Sequence, residues 1–512
     1  MKSCKSLFLA AVLVLILSQG SLATALDDYI AAPDESYKFE LVNTVNGPGY
    51  TAYILDMTSQ TWRRPQQVDR TEWRHWLTIV RPQGEVANTA LLWITGGSNG
   101  GSAPRSVEGM LVQVALGSKS VVAELRMVPN QPLVFPDDGR RRYEDAIIAY
   151  TYDKYMKTGD GNWPLLLPMA KSAVRAMDTV QSWLKTLKKD AVDIEKFVVS
   201  GASKRGWTTW LTAAVDKRVT AIVPAVINVL NMDEQMKHHY SAYGFYAPAI
   251  RDYVEMKIFE RLGTKEGDEL LKIVDPYEYR ERYTMPKYTI NSPGDQFFLP
   301  DSDQFYFKDL PGEKYLRYVP NTEHGLDGSD ALESLLVFYQ SILVGGERPK
   351  FTWTVGEDGS IEVHTTTAPV AVNLWQATNS KARDFRLMTI GKVWKRTALS
   401  PEGPGKYVVK MAEPEEGWTA FFIELTFESG LGIPYKFTTE CSVVPKCLPF
   451  VQKVGFDDDC DVDFADVAVL AASWLSDNSA VDVATLCGDG IVNFLDFALV
   501  ANEWRPAPIG LY

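Results

Sequence analysis

One stretch of the chain has no basic residue at all. Between Gly455 and Trp504 there are eleven Asp and Glu side chains and not a single Lys or Arg. Setting that stretch aside leaves 52 basic against 54 acidic side chains, so the rest of the 512-residue chain is nearly neutral. A body without a basic face lacks the electrostatic footprint of nucleic-acid binding, which excludes nucleic acid as a main partner. Cysteine is scarce. Of five residues, Cys4 lies at the N-terminus, and Cys441, Cys447, Cys460 and Cys487 all lie near the C-terminus. The large N-terminal part is therefore expected to fold without cross-links. Long apolar runs are also missing: only Leu7–Leu17 is unbroken, shorter than the roughly 20 residues of a membrane-spanning helix. No membrane span is expected. What is present, 46% hydrophobic and 23% charged residues, is the composition of a globular protein with a sizeable core.

The short apolar run has a meaning of its own. Lys2 and Lys5 precede it, and Ala23-Thr24-Ala25 follows as a small-x-small cleavage site. Residues 1–25 therefore read as a secretory signal cut before Leu26, and the protein as secreted or extracellular, with periplasm or cell surface included. In an exported protein the four remaining cysteines read as disulfides rather than a zinc site. Three pairings are open; Cys460–Cys487 is expected as the main bridge, with Cys441–Cys447 as the alternative or a second bridge beside it.

Residues 26–349 alternate apolar strand-like runs, such as Ala90–Ile94, Phe197–Ser200 and Ala221–Pro224, with amphipathic helical stretches. That alternation predicts an α/β domain with a mostly parallel sheet covered on both faces. The segment from Asn231 to Tyr283, helical and rich in aromatics, reads as an insertion over the edge that holds the site. Residues 350–444 switch to short alternating strands between turn residues, which predicts a small β-sandwich-like domain. A third unit occupies residues 455–506.

The chemistry falls on a strand–turn–helix. After Phe197–Ser200 comes Gly201-Ala202-Ser203-Lys204-Arg205-Gly206, where a nucleophile elbow would lift the Ser203 hydroxyl above the sheet. The usual G-x-S-x-G is altered, with the second glycine one residue late. A serine nucleophile needs a histidine base and an orienting carboxylate. Both follow in the order Ser…Asp…His: Asp295 ends a turn after the strand Tyr288–Asn291, and His324 lies on a loop after Leu316–Val319. Asp301 and Asp303 are the rivals of Asp295, but they follow Pro300 at a probable helix start, where Asp caps well. The oxyanion hole is expected from the Gly97 and Lys204 backbone N–H groups, Gly97 lying in a glycine-rich loop after the strand that ends at Ile94. That loop lacks the Lys-Ser/Thr ending of a phosphate loop. Arg205 is expected either to bind a substrate carboxylate, as in uronate esters, or to form a structural ion pair.

These strings, together with Val128–Leu133, Tyr143–Tyr150, Gly294–Phe298 and Leu374–Asn379, resemble the PhoPQ-activated pathogenicity-related protein family. The resemblance implies an α/β-hydrolase-like fold with a β-sandwich-like extension, and it supports the Ser203, Asp295, His324 triad without specifying a substrate. Glu144 and Asp145 within it read as a charge pair on a helix face, with a functional role as the alternative.

The acidic tail resembles a dockerin-type repeat pair built on EF-hand-like loops. The resemblance implies calcium on Asp457, Asp459, Asp463 and Asp466 in the first loop, and on Asp489, Asn493 and Asp496 in the second. Each loop lacks the first carboxylate, so weak affinity is expected. A cohesin-like protein would be the partner. The combined expectation is a secreted serine hydrolase, esterase or amidase or peptidase, acting on a small-molecule or polymer substrate without a catalytic cofactor. The alternative is a non-catalytic secreted binding or signalling protein on the same fold.

Overall fold

The computed structural model describes residues 23–188, 190–450 and 464–478 and, of the last stretch, 481, 483 and 490–503. Of the expected signal segment, 1–25, residues 1–22 lie outside the described residues, as does the first acidic loop, 451–463. Helix α1 (Ala25–Ala31) opens the fold on a capping box, in which the Thr24 hydroxyl accepts from the Asp27 amide and the Asp27 carboxylate accepts from Thr24 N–H.

Three antiparallel strands follow, β1 (Lys38–Gly47), β2 (Tyr50–Thr61) and β3 (Glu72–Pro82). The chain then winds through β4 (Thr89–Ile94), α2 (Gly109–Ser118), β5 (Val122–Leu125), the hairpin β6 (Leu133–Val134) and β7 (Arg141–Arg142), α3 (Asp145–Thr158) and α4 (Leu166–Thr186). Next come β8 (Lys196–Ala202), α5 (Lys204–Val215) and β9 (Val219–Ala225). The helical insertion holds α6 (Met232–Tyr243), α7 (Arg251–Glu255) and α8 (Lys265–Val274), and leads to β10 (Lys287–Asn291), β11 (Lys314–Tyr318) and α9 (Ala331–Val344). Strands β5, β4, β8, β9, β10 and β11 lie side by side in that order, all parallel.

A period of two explains why this block is buried on both faces. In β4, Ala90, Leu92 and Ile94 join the core under α4 and α5, whereas Leu91 joins the opposite core with Leu111 of α2 and Phe338 of α9. Strand β8 repeats the pattern, with Phe197 and Val199 on one side and Val198 on the other. The fold is a mixed α/β fold built on one large sheet.

The expectation of a separate sandwich over 350–444 is corrected. That region carries β12 (Phe351–Val355), β13 (Ile361–Thr365), β14 (Ala371–Asn379), α10 (Leu387–Ile390), β15 (Lys395–Ala398), β16 (Lys406–Val409), β17 (Trp418–Phe427), β18 (Tyr435–Thr438) and β19 (Ser442–Val444). Strand β18 pairs antiparallel with β11, and β17, β14 and β15 follow it, so the central sheet runs on without a break. Strands β12, β13 and β16 form a small second layer, which packs Ile361, Val363 and Tyr407 against Phe421, Ile423 and Phe437. The physical reason lies at the outer edge of β11, whose open backbone groups β18 satisfies. The Thr438 hydroxyl accepts from Tyr318 N–H at 3.0 Å, and buried Arg317 pairs with Glu424 of β17 at 3.1 Å.

The tail has helices α11 (Phe464–Ala472) and α12 (Phe494–Glu503), packed through Leu470, Val481, Val492 and Val500. Asp466 and Asp496 are buried. The two oxygens of Asp496 accept the amides of Val483 and Asn493 at 2.5 and 2.7 Å, the work of a helix-start carboxylate. The other proposed ligands, Asp457, Asp459, Asp463 and Asp489, lie outside the described residues, as do Cys460 and Cys487. Among the described residues no group of three or more potential ligands is placed to hold a metal ion. The Cys441–Cys447 pairing is not made: Cys441 is a free, buried thiol, and Cys447 is disulfide-bonded to a different cysteine.

Candidate active site

Parallel strands deliver their following loops to one edge of the sheet, and four such loops meet here. They follow β4, β8, β10 and β11 and carry Gly97, Ser203, Asp295 and His324.

Ser203 stands between β8 and α5 with φ 57° and ψ −130°, a conformation a non-glycine residue holds only when its surroundings force it. The forcing is visible. Its N–H donates to Ala225 O of neighbouring β9 at 2.9 Å, and its carbonyl accepts from Trp207 N–H at 3.0 Å. A Cβ on Gly201 would lie 2.7 Å from Arg205 O, and one on Gly206 would lie 2.7 Å from the Ile227 side chain. The displaced second glycine thus serves the same close approach as the usual one, a residue later along the helix.

His324 Nδ1 lies 2.8 Å from Asp295 Oδ2, and the other Asp295 oxygen accepts from Phe297 N–H at 2.7 Å. The carboxylate is buried and held from both sides, which orients the ring and leaves Nε2 as its free nitrogen. Nε2 is buried without a hydrogen-bond partner. No hydrogen bond joins it to Ser203 in this structure. Phe297 connects the two: its ring packs 4.3 Å from the imidazole and also lines the cavity beside Ser203.

The rival carboxylates are occupied elsewhere. Asp301 binds His238 at 3.0 Å and Arg383 at 2.6 Å. Burial pushes its carboxyl up, but the Arg383 charge and the bond to His238 outweigh it and hold the group well below the usual range. Asp303 accepts from the hydroxyls of Tyr306 and Tyr318, and burial pushes it up to about 7. The remaining histidines are also committed. His75 bonds Ser59 and the Arg126 carbonyl, His239 accepts from Ala247 N–H, and His364 pairs with Glu362.

The loop after β4 places Gly97 at φ 142°, where a Cβ would sit 3.1 Å from the Met127 side chain. Glycine is required there. Lys204, expected to act through its backbone N–H, also sends its side chain beneath the elbow, where Nζ lies 3.1 Å from both Glu144 and Asp145. Arg205 donates to Glu144 Oε1 at 2.6 Å and to Val128 O at 2.5 Å. The carboxylate-binding role of Arg205 is therefore replaced by the structural ion pair. Burial raises the Glu144 carboxyl, yet the Lys204 charge and the Arg205 bond prevail and hold it down at about 2. Gln131 completes the cluster by donating to Glu144 Oε1 at 2.5 Å and accepting from its amide at 2.8 Å. Sequence reasoning placed Glu144 and Asp145 on a helix face and passed over Gln131. Their adjacency to the glycine loop is a tertiary fact.

The sequence model of the PhoPQ-activated pathogenicity-related proteins matches residues 26–386. The chain belongs to that family. It is 40% identical over 471 residues to autocrine proliferation repressor protein A of Dictyostelium discoideum, spanning 86% of this chain and 94% of that one. Among solved structures it resembles acetyl xylan esterase 1 of Thermoanaerobacterium sp. JW/SL YS485 (TM-score 0.44, 16% identity, 62% of this chain and 91% of that one). It also resembles a glucuronoyl esterase of Solibacter usitatus (TM-score 0.34, 14% identity, 59% and 86%).

Proposed function

We propose that this family member is an exported serine hydrolase that cleaves an ester or amide through an acyl-enzyme. The observation that supports it most is the strained Ser203 turn at the sheet edge that also carries the Asp295–His324 pair. Ser203 Oγ attacks the substrate carbonyl carbon while His324 Nε2 takes its proton. The oxyanion is held by the Gly97 and Lys204 N–H groups. Nε2 then gives the proton to the leaving alcohol or amine as its bond to carbon breaks. Water, deprotonated by the same nitrogen, releases the acid and restores the serine. Asp295 stabilises the imidazolium and keeps its tautomer throughout. Serine–histidine contacts are often long in a free enzyme and tighten in the complex.

A second reading, a secreted signalling protein that does not use the site, is favoured by the name of the 40%-identical relative. Fluorophosphonate labelling of the full chain separates the two. The hydrolase reading requires covalent labelling of wild type that is lost in Ser203→Ala, and an unlabelled, folded wild type refutes it. The tail, in the same proposal, attaches the enzyme to a cohesin-like partner, with weak calcium binding in its loops.

A further inference from the structure

We infer that the cavity beside Ser203 is an acyl pocket for a short, unsubstituted chain of about two to four carbons, an inference that rests on the serine-hydrolase reading. Three observations carry it. One wall of the cavity is formed by the helical insertion, where Met232 and Met236 of α6, Ile250 and Tyr253 line it, all buried. Its free volume is about 40 Å³. That is room for about three water-sized groups at roughly 10–15 Å³ each, matching the three carbons beyond the carbonyl of a butyryl group.

The third observation concerns polarity. Every polar group that lines the cavity and could meet a ligand's chain is already engaged. The Trp207 indole N–H donates to Val274 O at 2.6 Å, and the Tyr253 hydroxyl donates to Asp145 at 3.0 Å. Lys204 Nζ lies between Glu144 and Asp145. A carboxylated chain would therefore lose its water without finding a free donor, which is costly, whereas an alkyl chain loses nothing.

The pocket belongs to the acyl side rather than the leaving group. Lys204, whose N–H is assigned to the oxyanion, lines it, so a carbonyl held there directs one substituent inward. A leaving group must diffuse away to solvent once its bond to carbon breaks. The acyl chain, held by its covalent bond to Ser203, has no such need.

The test uses the full chain and a series of p-nitrophenyl esters from acetate to octanoate. Wild type should hydrolyse acetate and butyrate with kcat/KM within about tenfold of each other, and lose at least about tenfold at hexanoate. Met236→Ala should move that drop to octanoate or beyond, and Ile250→Ala reads the same shift should Met236→Ala fail to fold. Changing the alcohol from p-nitrophenol to a naphthol should leave the effect of the variant unchanged. An effect that follows the alcohol would place the leaving group in the cavity and overturn the inference. So would a wild type that takes octanoate as readily as butyrate while still being labelled at Ser203 by fluorophosphonate. Failure of labelling itself would bring down the hydrolase reading, and the pocket with it.

Discussion

Ser203 and Glu144 occupy the same backbone conformation at the start of two different helices. Ser203 has φ 57° and ψ −130° before α5, and Glu144 has φ 49° and ψ −124° before α3. Both are non-glycine residues in a region that costs of order 1–3 kcal/mol, and the two helix starts are tied together through Lys204 and Arg205. Their side chains have opposite fates. The serine hydroxyl faces a cavity, and the glutamate is covered by two cations and an amide. Equal strain therefore does not mean equal role. At Ser203 it presents a hydroxyl to the cavity, and at Glu144 it fixes the frame from which that hydroxyl is presented.

The sharpest way to break the comparison is to remove each side chain in turn. Ser203→Ala should lower kcat by about three orders of magnitude or more while the thermal midpoint stays where it is, because alanine suffers the same backbone strain. Gly97→Ala comes next: its Cβ meets Met127 and its φ is unsuited to alanine, so the oxyanion loop shifts. We expect kcat to fall by about 10–100-fold with KM little changed, somewhat less than the loss of a whole oxyanion donor. Glu144→Gln should act on stability instead, by about 1 kcal/mol, an amount kept small by the partial exposure of the carboxylate. Its sign with pH is determined. The folded carboxyl sits near 2 against 4.5 for the free group, so its contribution is complete above about pH 4.5 and fades as pH falls towards 2. Urea midpoints of wild type and variant should differ at pH 6 and converge at pH 2–3. A gap that widens in acid would show that Glu144 is not held by those cations.

The smallest effect is expected from the tail. The Phe450 amide donates to Ser241 O at 2.8 Å, and its ring fills the space against Gly244, so the body of the fold extends to this residue. A chain ended after Lys453, with Cys447→Ser to remove the thiol its disulfide leaves behind, should keep its thermal midpoint and its rate of labelling. A drop in either would show that the acidic segment contributes to the site.

Several features were legible because they depend on local pattern. The alternation within β4 and β8 required a sheet covered twice, and the order Ser203, Asp295, His324 followed from counting strands, since parallel strands open their loops at one edge. The Asp295–His324 bond could be anticipated on the same ground, as could the rejection of Asp301, a residue the fold commits to His238 and Arg383. The boundary at residue 350 was misread because short alternating strands look the same whether they form their own sandwich or extend an existing sheet. Only the pairing of Leu316 with Thr438 distinguishes the two.

By itself, then, the sequence determined the strand–helix alternation, the glycines that bend the turn at Ser203 and the loop after β4, and the chain order of Ser203, Asp295 and His324. Each of these is carried by residues close together in the chain or by a rule of connection. The tertiary structure alone decided that Glu144 and Gln131 lock Arg205 and Lys204 beside the Ser203 turn, that Met232 and Met236 line the cavity, and that the last strands continue the sheet. Those contacts join residues tens to hundreds of positions apart. Their partners are selected by packing and charge after the chain has collapsed, and no local pattern records that choice.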